Sequence, residues 1–239
     1  MMARRQAAGW LTIATAAAAI AGGCATTSSA PPAGPATDVP TTQPTLVGGT
    51  VNAADHAEMK NDERGAVTAV DTFWRRYFTE QAGQPYQGPR VAGSYVGTNG
   101  PPCGGEPESV PFNAVYCLPG DFVAWDDNLM MAGYSQIGDA WVYLIIAHEW
   151  GHAIQARLRE DRVSVAAELQ ADCLAGAALQ GAADEGLITA EPGDSDEIAA
   201  TLAAVADDYP WTDVSDHGNA EERTSAFNTG VKGGVRACT

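Results

Sequence analysis

Trp141-Val142-Tyr143-Leu144-Ile145-Ile146-Ala147-His148-Glu149-Trp150-Gly151-His152 is an apolar run that ends in the pattern HExxH. A helix carrying it is a core helix, and the chemistry of the pattern follows from that. Residues four apart share one helix face, so His148 and His152 can reach a single ion. Glu149 projects beside them, where its carboxylate can take a proton from a water held at that ion. Zn2+ suits such a set because it binds imidazole and carboxylate, keeps a position open and acidifies water there. The chain has four histidines, and two of them are spent here.

Two histidines do not complete a catalytic zinc site, so a third protein ligand is expected downstream. The segment Ser164-Val165-Ala166-Ala167-Glu168-Leu169-Gln170-Ala171-Asp172-Cys173-Leu174-Ala175-Gly176 is rich in helix formers and follows the charged turn Arg159-Glu160-Asp161-Arg162. It reads as a second helix antiparallel to the first, with Glu168 and Asp172 on one face. Glu168 is the expected third ligand. Asp172 is expected to accept the spare ring N–H of a ligand histidine and so fix its tautomer. An ExxxD pair alone is an ordinary solvated face, but the flanking Leu169, Ala171, Cys173, Leu174 and Ala175 indicate burial, and a buried carboxylate needs a partner.

These stretches resemble the bacterial neutral zinc metallopeptidases, whose zinc site is thermolysin-like, with HExxH and a downstream glutamate. The resemblance is carried by HEWGHAIQ (148–155), ELQADCLAG (168–176), HGNAEERTSAFNTG (217–230) and Gly234 to Cys238, with Cys103-Gly104 and Tyr116-Cys117 matching a further pair. It covers roughly residues 68 to 239. It implies a zincin-like peptidase with His148, His152 and Glu168 as ligands and Glu149 as base. The stretch from His152 to Glu168 is shorter than the family pattern, and 206–209 replaces a more glycine-containing segment.

At the N-terminus, Arg4 and Arg5 precede an apolar stretch from Trp10 to Ala21, too short to span a bilayer and laid out as a secretory signal. It leads into Ile20-Ala21-Gly22-Gly23-Cys24, which resembles a lipoprotein cleavage site. The expected organisation is a signal peptide at 1–23, a lipid-bearing Cys24 opening a Pro/Thr/Ala-rich tether at 24–45, and a metallopeptidase-like domain at 46–239. A plain secreted signal cut elsewhere is the alternative. Of five cysteines, lipidation of Cys24 leaves four, an even number suited to an oxidising compartment. Four cysteines allow three pairings, and spacing leaves all of them open. Cys103 with Cys117, which bracket a short Gly/Pro-containing loop, is the economical one, and Cys173 with Cys238 would then tie the C-terminus to the helix of Glu168.

A net charge of −17, or −19 once Arg4 and Arg5 leave with the signal, argues against nucleic acid and against anionic lipid as partners. It is compatible with a soluble exported enzyme and with cationic substrates, though solubility in an extracytoplasmic or salty setting accounts for it as well. Periodicity predicts helices at 64–82, 128–136, 139–158, 164–183, 195–208 and 219–230, and strands at 90–97 and 121–126. Asp194 with Glu197, and Asn219 with Glu222, have the spacing of capping boxes. The expected fold is α+β, mostly helical, with a small sheet beside the HExxH helix. His217, just before the last helix, is a candidate for stabilising the oxyanion or a structural histidine at a helix start. Arg223 is expected to pair with a buried acid such as Asp207 or Asp208, and His56 to be outside the folded part. The functional expectation is peptide hydrolysis at zinc. Its rival is a non-catalytic lipoprotein that uses the metal as a clamp or interaction module.

Overall fold

A computed structural model describes residues 52–105, 110–158, 164–207 and 217–239. The expected signal peptide, Cys24 and tether lie outside the described residues, as do the charged turn 159–162 and Asp208. Everything is arranged around one helix, α3 (Ala140–Leu158), which is buried on nearly every side. Its apolar residues have no polar face to turn to water, so neighbours must surround it. They are α1 (Ala53–Arg76), α4 (Ser164–Asp184), α2 (Asp127–Gln136), α5 (Asp194–Ala204) and a small sheet. Trp74, Trp125, Trp141 and Trp150 are fully buried in the core that results. The last helix, α6 (Ala220–Gly233), lies against α4 and also touches α5.

The sheet has three strands, β1 (Arg90–Tyr95), β2 (Ala114–Cys117) and β3 (Phe122–Asp126), in the order β1-β3-β2. β3 is buried throughout, runs parallel to β1 and pairs antiparallel to β2, with Val115 opposite Ala124. β2 is therefore an edge strand, and it packs beside α3. The architecture is α+β and mostly helical, as the sequence pattern indicates.

Two disulfides form, Cys103–Cys117 and Cys173–Cys238, as suits a protein of an oxidising compartment. No helix among the described residues is long and apolar enough to cross a membrane.

Several local expectations need correction. α1 starts at Ala53, eleven residues ahead of the expected helix, because the Asn52 side chain accepts from the backbone N–H of Ala54 and Asp55. His56 is accordingly inside α1, where its Nε2 lies 2.6 Å from the Asp127 carboxylate. The capping box at Asn219 and Glu222 is present, but the one at Asp194 and Glu197 is not. Gly193 occupies that N-cap position, Asp194 accepts from the backbone of Glu191, and Glu197 reaches across to the backbone N–H of Ala140 at the start of α3. The α5 helix also stops at Ala204, short of residue 208.

Candidate active site

The HExxH motif lies in the second half of α3, with the imidazole rings of His148 and His152 edge to face, 4.8 Å between centroids. Gly151, between them, decides how closely α4 approaches. A Cβ at that position would lie 2.8 Å from the carbonyl oxygen of Ala171 and 2.9 Å from its Cα, so only glycine admits this contact of backbone on backbone. Ala171 sits between Glu168 and Asp172, and the close approach brings both carboxylates to the histidines.

The Oε2 of Glu168 is 3.1 Å from His148 Nε2, and its Oε1 is 3.4 Å from His152 Nε2. The ligand-type atoms of the three residues all lie within 4.8 Å of one another. Two atoms at tetrahedral corners, each at a zinc–nitrogen or zinc–oxygen bond length, would be about 3.3–3.4 Å apart, so the donor set fits zinc in spacing as well as in kind. The other ring nitrogens are engaged from behind. His148 Nδ1 lies 2.8 Å from Asp172 Oδ1, and His152 Nδ1 lies 3.0 Å from Gln155 Oε1. Gln155 in turn donates to the carbonyl of Ala167 on α4 at 2.5 Å. Both imidazoles are thereby turned with Nε2 toward Glu168.

Asp172 is fully buried and does two jobs. Besides His148, it takes a forked pair of hydrogen bonds from Arg223 of α6, Nε at 2.8 Å and Nη2 at 2.9 Å. Arg223 therefore pairs with a buried acid as expected, but that acid is Asp172. The charge of Asp207 also acts on Arg223, Asp208 lies outside the described residues, and Arg223 Nη1 donates to the carbonyl of Val205. α6 reaches this depth because Gly230 allows it. A Cβ there would fall 1.8 Å from the carbonyl oxygen of Cys173, the residue that also anchors the disulfide to Cys238.

The electrostatics follow from this geometry. Burial works against a charge on His148, but the hydrogen bond and charge of Asp172, helped by Glu168, outweigh it and push the imidazole up to about 10. Burial likewise works against charge on Glu168 and Asp172. Their hydrogen bonds to the histidines, with Arg223 beside Asp172, hold both well below the usual carboxylate range. With His148 neutral, the form in which an imidazole ligates a metal, the formal charges of Glu149, Glu168, Asp172 and Arg223 sum to −2, which a divalent cation would offset.

Glu149 is buried, and among the described residues nothing hydrogen-bonds its carboxylate. Together with His148, His152 and Glu168 it lines a cleft of about 610 Å³ bounded by β2 and by apolar residues including Leu129, Leu144 and Ile145. His217 stands at the rim of the same cleft, half exposed, with its backbone N–H and ring held by Asp207. A second acidic group, Asp139 with Asp194 and Glu197, lies at the other end of α3, where Glu197 caps the helix. Gln155 and the partnership of Arg223 with Asp172 were not foreseen from sequence. A glutamine three residues beyond the second histidine of HExxH is the one local sign of the former.

Comparison with known proteins agrees with the donor set. A family model described as "Putative neutral zinc metallopeptidase" matches residues 5–239. Two curated proteins, each called "Uncharacterized protein YpfJ", from Escherichia coli K12 and from Escherichia coli O6:H1 strain CFT073, are 31% identical over 196 residues. The alignment covers 70% of this chain and 65% of theirs, so the chain spans just under two thirds of the relatives' length. No solved structure matches the chain.

Proposed function

Because the chain belongs to the neutral zinc metallopeptidase family, we propose that it is a zinc-dependent peptidase in which His148, His152 and Glu168 hold the ion and Glu149 is the general base. The observation that carries this reading is the convergence of two imidazoles and one carboxylate, with the Glu149 carboxylate lining the same cleft. Zinc bound there supplies a Lewis acid that polarises a carbonyl and makes water acidic enough to lose a proton near neutral pH. Glu149 takes a proton from the attacking water as its oxygen adds to the scissile carbonyl carbon. The same carboxylic acid then gives that proton to the departing nitrogen as the C–N bond breaks, leaving a carboxylate and an amine. Asp172, itself held by Arg223, keeps His148 in one tautomer, and Gln155 does the same for His152. An extended peptide substrate lies along the edge of β2 and is held by main-chain hydrogen bonds. His217, which lines the same cleft, is our candidate for stabilising the oxyanion.

Glu149→Gln tests the assignment. Glutamine keeps the shape but cannot accept the proton, so hydrolysis should fall by about 10²-fold or more while zinc stays bound. Unchanged cleavage by this variant would point instead to a zinc site that serves as a structural clamp. Export and a lipid anchor at Cys24 complete the proposal, supported by the N-terminal sequence and the oxidised cysteines. The mature protein should partition into detergent and Cys24→Ser should not. A mature N-terminus at any other residue would rule the anchor out.

A further inference from the structure

The edge strand β2 is bracketed by two apolar side chains that remain exposed, Phe112 before it and Leu118 after it, at 43% and 65%. Both line the cleft that contains His148 and Glu149. Their neighbours hold them out in fixed positions. Phe112 has a φ of 56°, a left-handed backbone that a bulky residue adopts only under constraint. The constraint is visible: its N–H donates to the buried Asp126 carboxylate at 2.6 Å, and Tyr95 Oη donates to the flanking carbonyls of Val110 and Asn113. Asp126 is itself committed as the N-cap of α2, so the loop is fastened to the frame of the fold. At the other end, Leu118 follows Cys117, which is bonded to Cys103, and its carbonyl accepts from the N–H of Asp121 in the turn to β3.

Apolar side chains displayed on rigid backbone at the rim of a cleft are suited to desolvating a partner's side chains. Between them, β2 spans roughly 13 Å, so an extended peptide on its edge would meet both at positions about four to six residues apart. Resting on the peptidase reading above, we infer that Phe112 and Leu118 are specificity-determining residues. They select extended peptide segments that carry an apolar side chain at two positions four to six residues apart. The substrate class is thus an internal, unfolded stretch of protein rather than a di- or tripeptide, which is too short to span the two rims.

The test uses internally quenched decapeptides, randomised at single positions, with the zinc-loaded protein. Phe112→Asn keeps a residue that accepts left-handed backbone, and Leu118→Ser alters an exposed position, so unfolding curves should superimpose on the parent's. The parent should prefer aromatic or large aliphatic residues over alanine at two positions of that spacing by about tenfold each. Phe112→Asn should abolish the preference at one position, and Leu118→Ser at the other. Binding of the same peptides to Glu149→Gln, read by fluorescence anisotropy, reports the preference without turnover. Cleavage whose sequence profile is the same in both variants would overturn the inference and leave the peptidase reading standing. Binding with the two-position preference but no cleavage by the parent would overturn the peptidase reading and leave the inference standing. Neither binding nor cleavage would overturn both.

Discussion

Gly151→Ala sets two effects of opposite sign against each other inside the HExxH motif. In a helix interior alanine is favoured over glycine by about 1 kcal/mol, so on propensity alone the variant should be more stable. The new methyl, however, would meet the Ala171 backbone at 2.8–2.9 Å. Carbon–carbon contacts settle at about 3.5–4.0 Å, so α4 must retreat from α3 by somewhat under an ångström. Overpacking of this kind costs about 1–3 kcal/mol, which cancels or outweighs the propensity gain and leaves a net loss of up to about 2 kcal/mol. The more telling consequence falls on zinc. Glu168 and Asp172 ride on α4, and disturbing the positions of ligands and their supports lowers metal affinity by about 10–100-fold. Thermal unfolding with and without zinc, combined with chelator competition, separates the two outcomes. The variant should lose more stability in zinc than without it. A protein about 1 kcal/mol more stable with unchanged zinc affinity would refute the argument that Gly151 sets the helix separation.

Breaking the Cys173–Cys238 bridge by double serine substitution opens a loop of 65 residues, against 14 for Cys103–Cys117. Loop entropy then predicts losses of about 4 and about 3 kcal/mol, and denaturant midpoints that place the two variants in the reverse order would contradict it. Asp62 lies among carboxylates, and burial, reinforced by the charges of Asp139, Glu58 and Glu191, lifts its pKa to about 6. A raised folded-state value means that the stability Asp62 contributes is fully present below its unfolded value of 3.8 and is lost as pH rises through about 6. Asp62→Asn should therefore melt higher than the parent at pH 7, with the advantage shrinking toward pH 4, and a pH-independent difference would exclude this cause.

The central helix and the pairing of His148 with His152 on one face were legible because the apolar run and the HExxH spacing are local. Glu168 and Asp172 could be found one helix away because their apolar flanks made solvation an unsatisfactory account of them. What the sequence concealed depended on distant partners. Arg223 and Asp172 are 51 residues apart, and nothing near either names the other. β2 is four residues long in a stretch with little alternation, and its identity as a strand comes from pairing with β3. The first turns of α1 are polar on most sides. Met59 and Glu63 are buried there only because α1 packs on the core, where Lys60 pairs with both Glu63 and Asp127. Glu197 has the spacing of a self-cap, yet it caps a different helix, a choice that only tertiary structure makes.

The shared carboxylate of Asp172 also sets an order of assembly. α3 and α4 are consecutive and can meet early, since closing a short connection costs little entropy. His148 is oriented by Asp172, but Asp172 is itself held by Arg223, whose helix must arrive from much farther along the chain. A metal ion that encounters the newly formed pair of helices finds its donors present but one of them not yet aimed. On the zinc-peptidase reading proposed above, tight capture would wait for α6 to dock, so that metal retention would mark completed folding and an immature chain would have little hydrolytic capacity against its neighbours.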